Sequence, residues 1–306
     1  MAGLNLNSLK PEEFSKIINS FDTILTDCDG VLWFQNDPVE NAANVMNAFL
    51  NSGKKIFYVT NNGTKTRDEL VDKCKKLHFT ATTDNILCTS YLTAKYLQDM
   101  NFKKKVYIIG SPAIAKELDK VGIQHTGVGP DPVVGPLNCE LIKPDADIGA
   151  VVVGFDEHFS VIKMLKAATY LNDKNVKFIG TNTDERFPTS NKMIIPGTGS
   201  FVRCIETCSE RKATIMGKPA PYVSSLLSTQ YKIDPKRTLM IGDRANTDIL
   251  LGKRCGFKTL MVLTGVNSID DINTWKKSSS NDDKELIPDY YTSTIGDLLP
   301  HISIKK

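Results

Sequence analysis

Short apolar runs alternate along this chain with longer stretches in which apolar residues recur every three or four positions. The runs at 23–27, 55–60, 106–110, 149–153, 176–180, 213–216, 238–242 and 258–263 predict strands. Several of them are rich in Val, Ile, Leu and Tyr and end in Gly, Asp, Thr or Asn. The stretches 40–52, 66–77, 90–100, 112–121, 160–172, 198–210, 220–230 and 246–255 predict helices, with Ser111-Pro112 and Thr66-Arg67-Asp68-Glu69 as starts. Alternation of this kind predicts an α/β fold on a mostly parallel sheet. The stretch Gly127 to Pro144 holds Gly-Pro-Asp-Pro and Gly-Pro, which predicts turns in a second unit, and Ser278 to Lys284 reads as a short polar loop.

Four of the strand ends carry chemistry. Asp27-Cys28-Asp29-Gly30-Val31 follows Thr23-Ile24-Leu25-Thr26, so two carboxylates stand two residues apart where a strand runs into a glycine turn. In an open parallel sheet that is where ligands bind. Paired acids there suit a hard cation and a nucleophile with an acid/base partner. Thr60-Asn61-Asn62, Gly217-Lys218-Pro219, and Gly242-Asp243-Arg244 with Thr247-Asp248 follow three further apolar runs. Alone, each has an ordinary reading as a turn, a helix cap or a solvated lysine. Together, in order and each behind a strand, they form one constellation. Asp29 and Thr60 are 31 residues apart and Lys218 and Asp243 are 25 apart, each one crossover; the 156 residues from Asn62 to Lys218 leave room for an inserted domain.

Composition narrows the function classes. The 306 residues include 38 Lys+Arg against 35 Asp+Glu, a net charge of +3, too balanced for a nucleic-acid or membrane-surface binder. No apolar run nears the roughly 20 residues of a membrane helix, and Met1 to Ser20 lacks the apolar core of a signal peptide, so a cytoplasmic protein is expected. The 7 cysteines are odd in number and irregularly spaced, which argues against a disulfide framework, and Cys204 and Cys208 lack the second pair a zinc site needs. Strand alternation turns Cys28 away from the two acids, toward burial. His78, His125, His158 and His301 follow no ligand spacing.

The four strand-end segments, with Asp27-Cys28-Asp29-Gly30-Val31-Leu32-Trp33 at their head, resemble the four motifs of the haloacid dehalogenase superfamily. Val152-Val153-Gly154-Phe155-Asp156, Gly180-Thr181-Asn182, Pro196-Gly197-Thr198-Gly199 and Thr264-Gly265-Val266 extend the similarity to its phosphoglycolate phosphatase, pyridoxal phosphatase and 4-nitrophenylphosphatase-like group. The resemblance implies a Rossmann-like, doubly wound, mostly parallel core with an inserted α/β cap of the large (C2) type. The core is expected over 1–102 and 205–306 and the cap over 103–204. It implies hydrolysis of small phosphate monoesters through an aspartyl-phosphate, with Asp27 as nucleophile and Asp29 as acid and base. Mg²⁺ would be held by Asp27, the Asp29 backbone carbonyl and Asp243. Lys218, Thr60, Asn61 and Asn62 would bind phosphate, and Asp248 would orient Lys218 or a metal-bound water. Trp33 and Phe34 are expected to pack on the inserted domain.

Substrate choice is expected in the cap loop Thr181 to Pro188. The pyridoxal phosphatases carry a Pro-Trp-His pattern near its end, where this chain has Glu185-Arg186-Phe187. That departure favours phosphoglycolate or glycerol 3-phosphate over pyridoxal phosphate, with Arg186 available to a substrate carboxylate. A non-catalytic phosphate-binding paralogue is the other alternative. Asp29 argues against a dehalogenase, and the length argues against a receiver domain. The resemblance leaves open a homodimer through the cap.

Overall fold

The computed structural model describes residues 3–132, 143–187 and 193–302. Most of the predicted turn stretch 127–144, Cys139, and Pro188 of the cap loop lie outside the described residues. In chain order the strands are β1 (Leu4–Asn5), β2 (Thr23–Thr26), β3 (Trp33–Phe34), β4 (Asp37–Pro38), β5 (Lys55–Thr60), β6 (Ile86–Cys88), β7 (Lys105–Ile109), β8 (His125–Thr126), β9 (Ile148–Val153), β10 (Lys177–Gly180), β11 (Arg186–Phe187), β12 (Ile195–Pro196), β13 (Thr214–Ile215), β14 (Thr238–Gly242), β15 (Lys258–Val262) and β16 (Tyr290–Thr292). The chain divides into two compact units, one of 1–60, 68–87 and 218–306, the other of 61–67 and 88–217.

The first unit is built on a seven-stranded sheet in the order β1-β16-β15-β14-β2-β5-β6. The β1–β16, β16–β15, β15–β14, β14–β2 and β2–β5 pairings are all parallel. Every residue of β2 and β14 is buried. Strands covered on both faces read as continuous apolar runs, which is why the sequence marks them clearly. From β2 the chain passes through the helix Ala42–Asn51 to β5 on one side, while β14 flanks β2 on the other. The strand order reverses between β2 and β14, and ligands in open α/β sheets bind beyond the carboxyl ends at such a reversal.

The predicted strands are present within a residue or two. The additional strands β1, β6, β8, β11, β12 and β16 and the hairpin β3–β4 are two or three residues long, too short to show a period. One expectation is corrected. Within the polar stretch read as a loop, Asn281–Leu286 is a helix, with Asp282 and Asp283 in its first turn and Lys284 in its last. Its charges match the helix dipole, and Leu286 packs beside Trp275 on a small apolar cluster, so no apolar stripe was needed.

The second unit has a five-stranded sheet, β13-β10-β9-β7-β8, parallel in every pairing. The span expected for the cap, 103–204, lies inside this unit, which also takes in 61–67 and extends to residues 88 and 217. All six residues of β9 are buried, and Val151 and Val153 pack with Tyr107, Phe178, Val202 and Ile205. Beyond β9, Asp156 forms a buried ion pair with Lys163, Oδ2 to Nζ 2.5 Å. Arg186 opens the antiparallel hairpin β11–β12 and is exposed. No described helix is long and apolar enough to cross a membrane.

Candidate active site

Asp27 is the residue after β2, and its amide donates to the Ile241 carbonyl at 2.8 Å, which carries the parallel pairing with β14 one step past the strand. Its Oδ1 accepts from the Cys28 amide at 2.7 Å and lies 2.7 Å from Lys218 Nζ. Lys218 Nζ also reaches Asp248 Oδ1 at 2.8 Å. Asp248 stands on a wide π-helical turn, Ala245–Ile249, and its Oδ2 accepts from the Arg244 amide at 3.1 Å. Such turns are rare and concentrate at functional sites. The side chains of Lys218 and Asp248 are 1% and 0% exposed, against 15% for Asp27, so Asp27 is the member of this chain of charges that meets solvent.

Asp243 follows β14, and its Oδ2 accepts from the Val266 amide at 2.8 Å. Two glycines make room for it. A Cβ on Gly30, whose φ is +87°, would stand 2.6 Å from Asp243 Oδ2, and one on Gly265 would stand 1.9 Å from it. Any side chain at either position would displace the carboxylate, and at Gly30 the backbone conformation itself also selects glycine.

Carboxylate oxygens of Asp27, Asp243 and Asp248 lie within 4.8 Å of one another. Lys218 compensates part of this charge. Burial works against its protonation, but Asp248 and Asp27 outweigh burial and hold the ammonium well above the ordinary lysine range. Burial pushes the Asp248 carboxyl up, with Lys218 opposing. Burial, with the Asp27 charge, pushes Asp243 up to about 6. Three clustered acids sharing one ammonium, with an oxygen-only donor set at Asp27 and Asp243, fit a hard divalent cation.

The folded chain binds the Asp243 proton more tightly than the unfolded chain does, so this group's contribution is complete below pH 3.8 and is lost as pH rises through about 6. In the presence of a chelator, Asp243→Asn is expected to melt above wild type at pH 7.5, with the gap closing below pH 5. Mg²⁺ should raise the Tm of wild type and leave the variant nearly unmoved. Thermal unfolding across that pH range checks both.

Asp29 stands apart from the cluster. Its Oδ1 accepts from Trp33 Nε1 at 2.9 Å and lies 3.8 Å from Lys73 Nζ. Partial burial pushes its carboxyl up, Lys73 pulling the other way. Trp33 is buried, and its ring lies edge-to-face with Phe79 of the same unit at 5.5 Å. Nothing in the sequence singles out Lys73, which sits in a polar helix, Arg67–Lys76. Cys28 is buried, as alternation requires, and burial raises its thiol well above the usual range, with Asp27 adding to the effect.

Thr60 closes β5, which pairs with β2 through Thr26↔Tyr58, so it too lies at the carboxyl edge. Asn61, Asn62 and Arg186 belong to the second unit. There Asn61 Nδ2 donates to Asp184 Oδ1 at 3.1 Å, and the Asn61 carbonyl accepts from Asn182 Nδ2 at 2.8 Å. Asn62 Oδ1 accepts from the Thr64 amide and hydroxyl, both at 2.8 Å.

Residues 24–124 match the family described as haloacid dehalogenase-like hydrolase, and residues 215–298 match the HAD-hydrolase-like family. Glycerol-3-phosphate phosphatase of Homo sapiens is 40% identical over 302 residues, covering 95% of this chain and 94% of its own. The chain belongs to the haloacid dehalogenase-like hydrolases. Phosphoglycolate phosphatase 1A of Arabidopsis thaliana, a chloroplastic member, is 34% identical over 294 residues, covering 94% of this chain and 79% of its own. Among solved structures, a glycerol phosphate phosphatase of Mycobacterium tuberculosis in complex with magnesium is 25% identical with a TM-score of 0.74, covering 91% of this chain and 77% of its own. Within the haloacid dehalogenase-like hydrolases this chain is a phosphoric monoester hydrolase.

Proposed function

We propose that this phosphatase hydrolyses small phosphate monoesters through an aspartyl-phosphate on Asp27, with magnesium bound, and that glycerol 3-phosphate is its preferred substrate, followed by phosphoglycolate. The observation that carries this reading is the partly exposed Asp27 carboxylate tied to a fully buried Lys218–Asp248 pair. Both described contacts of the Asp27 carboxylate fall on Oδ1, which leaves Oδ2 to attack phosphorus. As the ester bond breaks, Asp29 gives its proton to the departing oxygen. Asp29 then takes a proton from water, the water oxygen attacks phosphorus, and the Asp27 carboxylate is regenerated as phosphate leaves. Lys218 neutralises a non-bridging oxygen, and the Thr60 hydroxyl and the Asn61 amide, one peptide further on, donate hydrogen bonds to the phosphate. Asp27, Asp243 and the Asp29 carbonyl would hold the metal, which supplies positive charge to the phosphoryl group.

The ranking of substrates rests on two supports. The relative named for glycerol 3-phosphate is more similar than the one named for phosphoglycolate. The loop carries Glu185-Arg186-Phe187 in place of the Pro-Trp-His of pyridoxal phosphatases. Phosphate release from glycerol 3-phosphate, phosphoglycolate, pyridoxal phosphate and 4-nitrophenyl phosphate, with Mg²⁺ and with a chelator, tests it. We expect metal-dependent release with the first two ahead of pyridoxal phosphate. Arg186→Ala should lower kcat/KM about tenfold on phosphoglycolate, whose carboxylate it would pair with, and less on the polyol ester. Wild-type kcat/KM on phosphoglycolate would remove Arg186 from the site. A preference for pyridoxal phosphate would overturn the ranking, and no release from any ester would point to the phosphate-binding alternative.

A further inference from the structure

We infer that Trp33 and Lys73 are positioning residues that fix which oxygen of Asp29 carries the proton, and that their effect grows with the leaving group's need for one. This rests on the proposed role of Asp29 as acid and base.

The geometry begins with the chain's turn after Asp27. The Cys28 carbonyl accepts from the Leu32 amide at 2.8 Å and the Trp33 amide at 3.2 Å, and the Gly30 amide donates to the Trp33 carbonyl at 2.9 Å. These bonds fold Trp33 back beside Asp29. The indole is 1% exposed and rests edge-on against Phe79, so it cannot turn away. Lys73 Nζ sits 4.4 Å from the indole centroid and 3.8 Å from Asp29 Oδ1. The ammonium therefore stacks on the ring and faces the carboxylate together.

Both donors converge on Oδ1, and among the described residues no donor reaches Oδ2. An oxygen that accepts an N–H and faces an ammonium is the carbonyl-type oxygen of a protonated carboxyl group. The proton is thereby confined to Oδ2, in one side-chain orientation. A free carboxyl would divide its proton between two oxygens and several rotamers, only a fraction of them aimed at the leaving oxygen.

The test compares an ester whose leaving group needs a proton with one whose leaving group does not. Glycerol 3-phosphate departs as an alkoxide, whereas 4-nitrophenyl phosphate departs as a stabilised phenolate. Asp29→Asn first establishes the reading beneath: kcat/KM reports only the steps up to leaving-group release, before Asp29 acts as base on water, and loss of the acid should lower it on glycerol 3-phosphate far more than on 4-nitrophenyl phosphate, a general acid being worth about 10²–10⁴. Given that split, Trp33→Phe and Lys73→Met should each lower kcat/KM on glycerol 3-phosphate about tenfold or more beyond their loss on 4-nitrophenyl phosphate. Equal losses on the two esters, or none on either, would overturn the inference while leaving the role of Asp29 standing. An Asp29→Asn variant without the split would overturn both. Trp33 is a core residue, so Lys73→Met, nearer the surface, decides the matter if Trp33→Phe does not fold.

Discussion

Asp27→Asn is expected to lower phosphate release by a factor of about 10⁴–10⁶, the range seen when an enzyme's nucleophile is removed. The amide keeps the shape of the carboxylate and can still accept from the Cys28 amide, so the backbone of the turn should be undisturbed. What is lost is the anionic oxygen that forms the bond to phosphorus. The same substitution removes one of three clustered negative charges, so in the absence of metal its Tm should equal or exceed that of wild type. Rapid acid quenching with ³²P-labelled substrate should trap labelled wild-type protein and no labelled variant. Retention of even a few per cent of wild-type turnover would refute Asp27 as the nucleophile.

Lys218→Met is expected to damage both stability and turnover. The ammonium lies in a dry position between Asp27 and Asp248, and Asp248 has no access to solvent. Removing one partner of a buried ion pair leaves the other's charge uncompensated, at a cost of about 3–5 kcal/mol. A drop in Tm alone would not distinguish charge from packing, so the pair must be removed together. Lys218→Met combined with Asp248→Leu takes away both charges and should recover most of the lost stability while remaining inactive. If the double variant is no more stable than the single, the two residues are not coupled as the 2.8 Å contact requires. Thermal unfolding and phosphate release on the three proteins settle the point.

The parts of this molecule that could be read in its sequence are those in which neighbouring residues act together. Asp27 with Asp29, and Gly242 with Asp243, are short words at the ends of fully buried strands, and both the word and the buried run survive in one dimension. Contacts made across the fold leave no such trace. Lys73 looks like any lysine on a polar helix until its ammonium is found over the Trp33 ring. Gly265 enters only as one letter of Thr264-Gly265-Val266 until Asp243 is found against it. The boundaries of the second unit are obscured for a related reason. The helix Thr89–Asp99 has the same amphipathic pattern whichever sheet it covers, so nothing local says that residues 88–102 fold with the later strands. Asn281–Leu286 escapes notice because it is held by end charges rather than by a hydrophobic face.

The pairing of β2 with β14 also dictates an order of events during synthesis. Thr23 pairs with Thr238, so the central strand keeps one bare edge until residue 238 has been made. The five strands of the second sheet all lie between residues 105 and 215, and that sheet can close while the nucleophile still waits for its neighbour. A chain interrupted before residue 238 carries Asp27, Asp29, Thr60 and Lys218 yet lacks the strand that gathers them. Such a fragment presents an apolar, unpaired edge of the sort that invites mispairing.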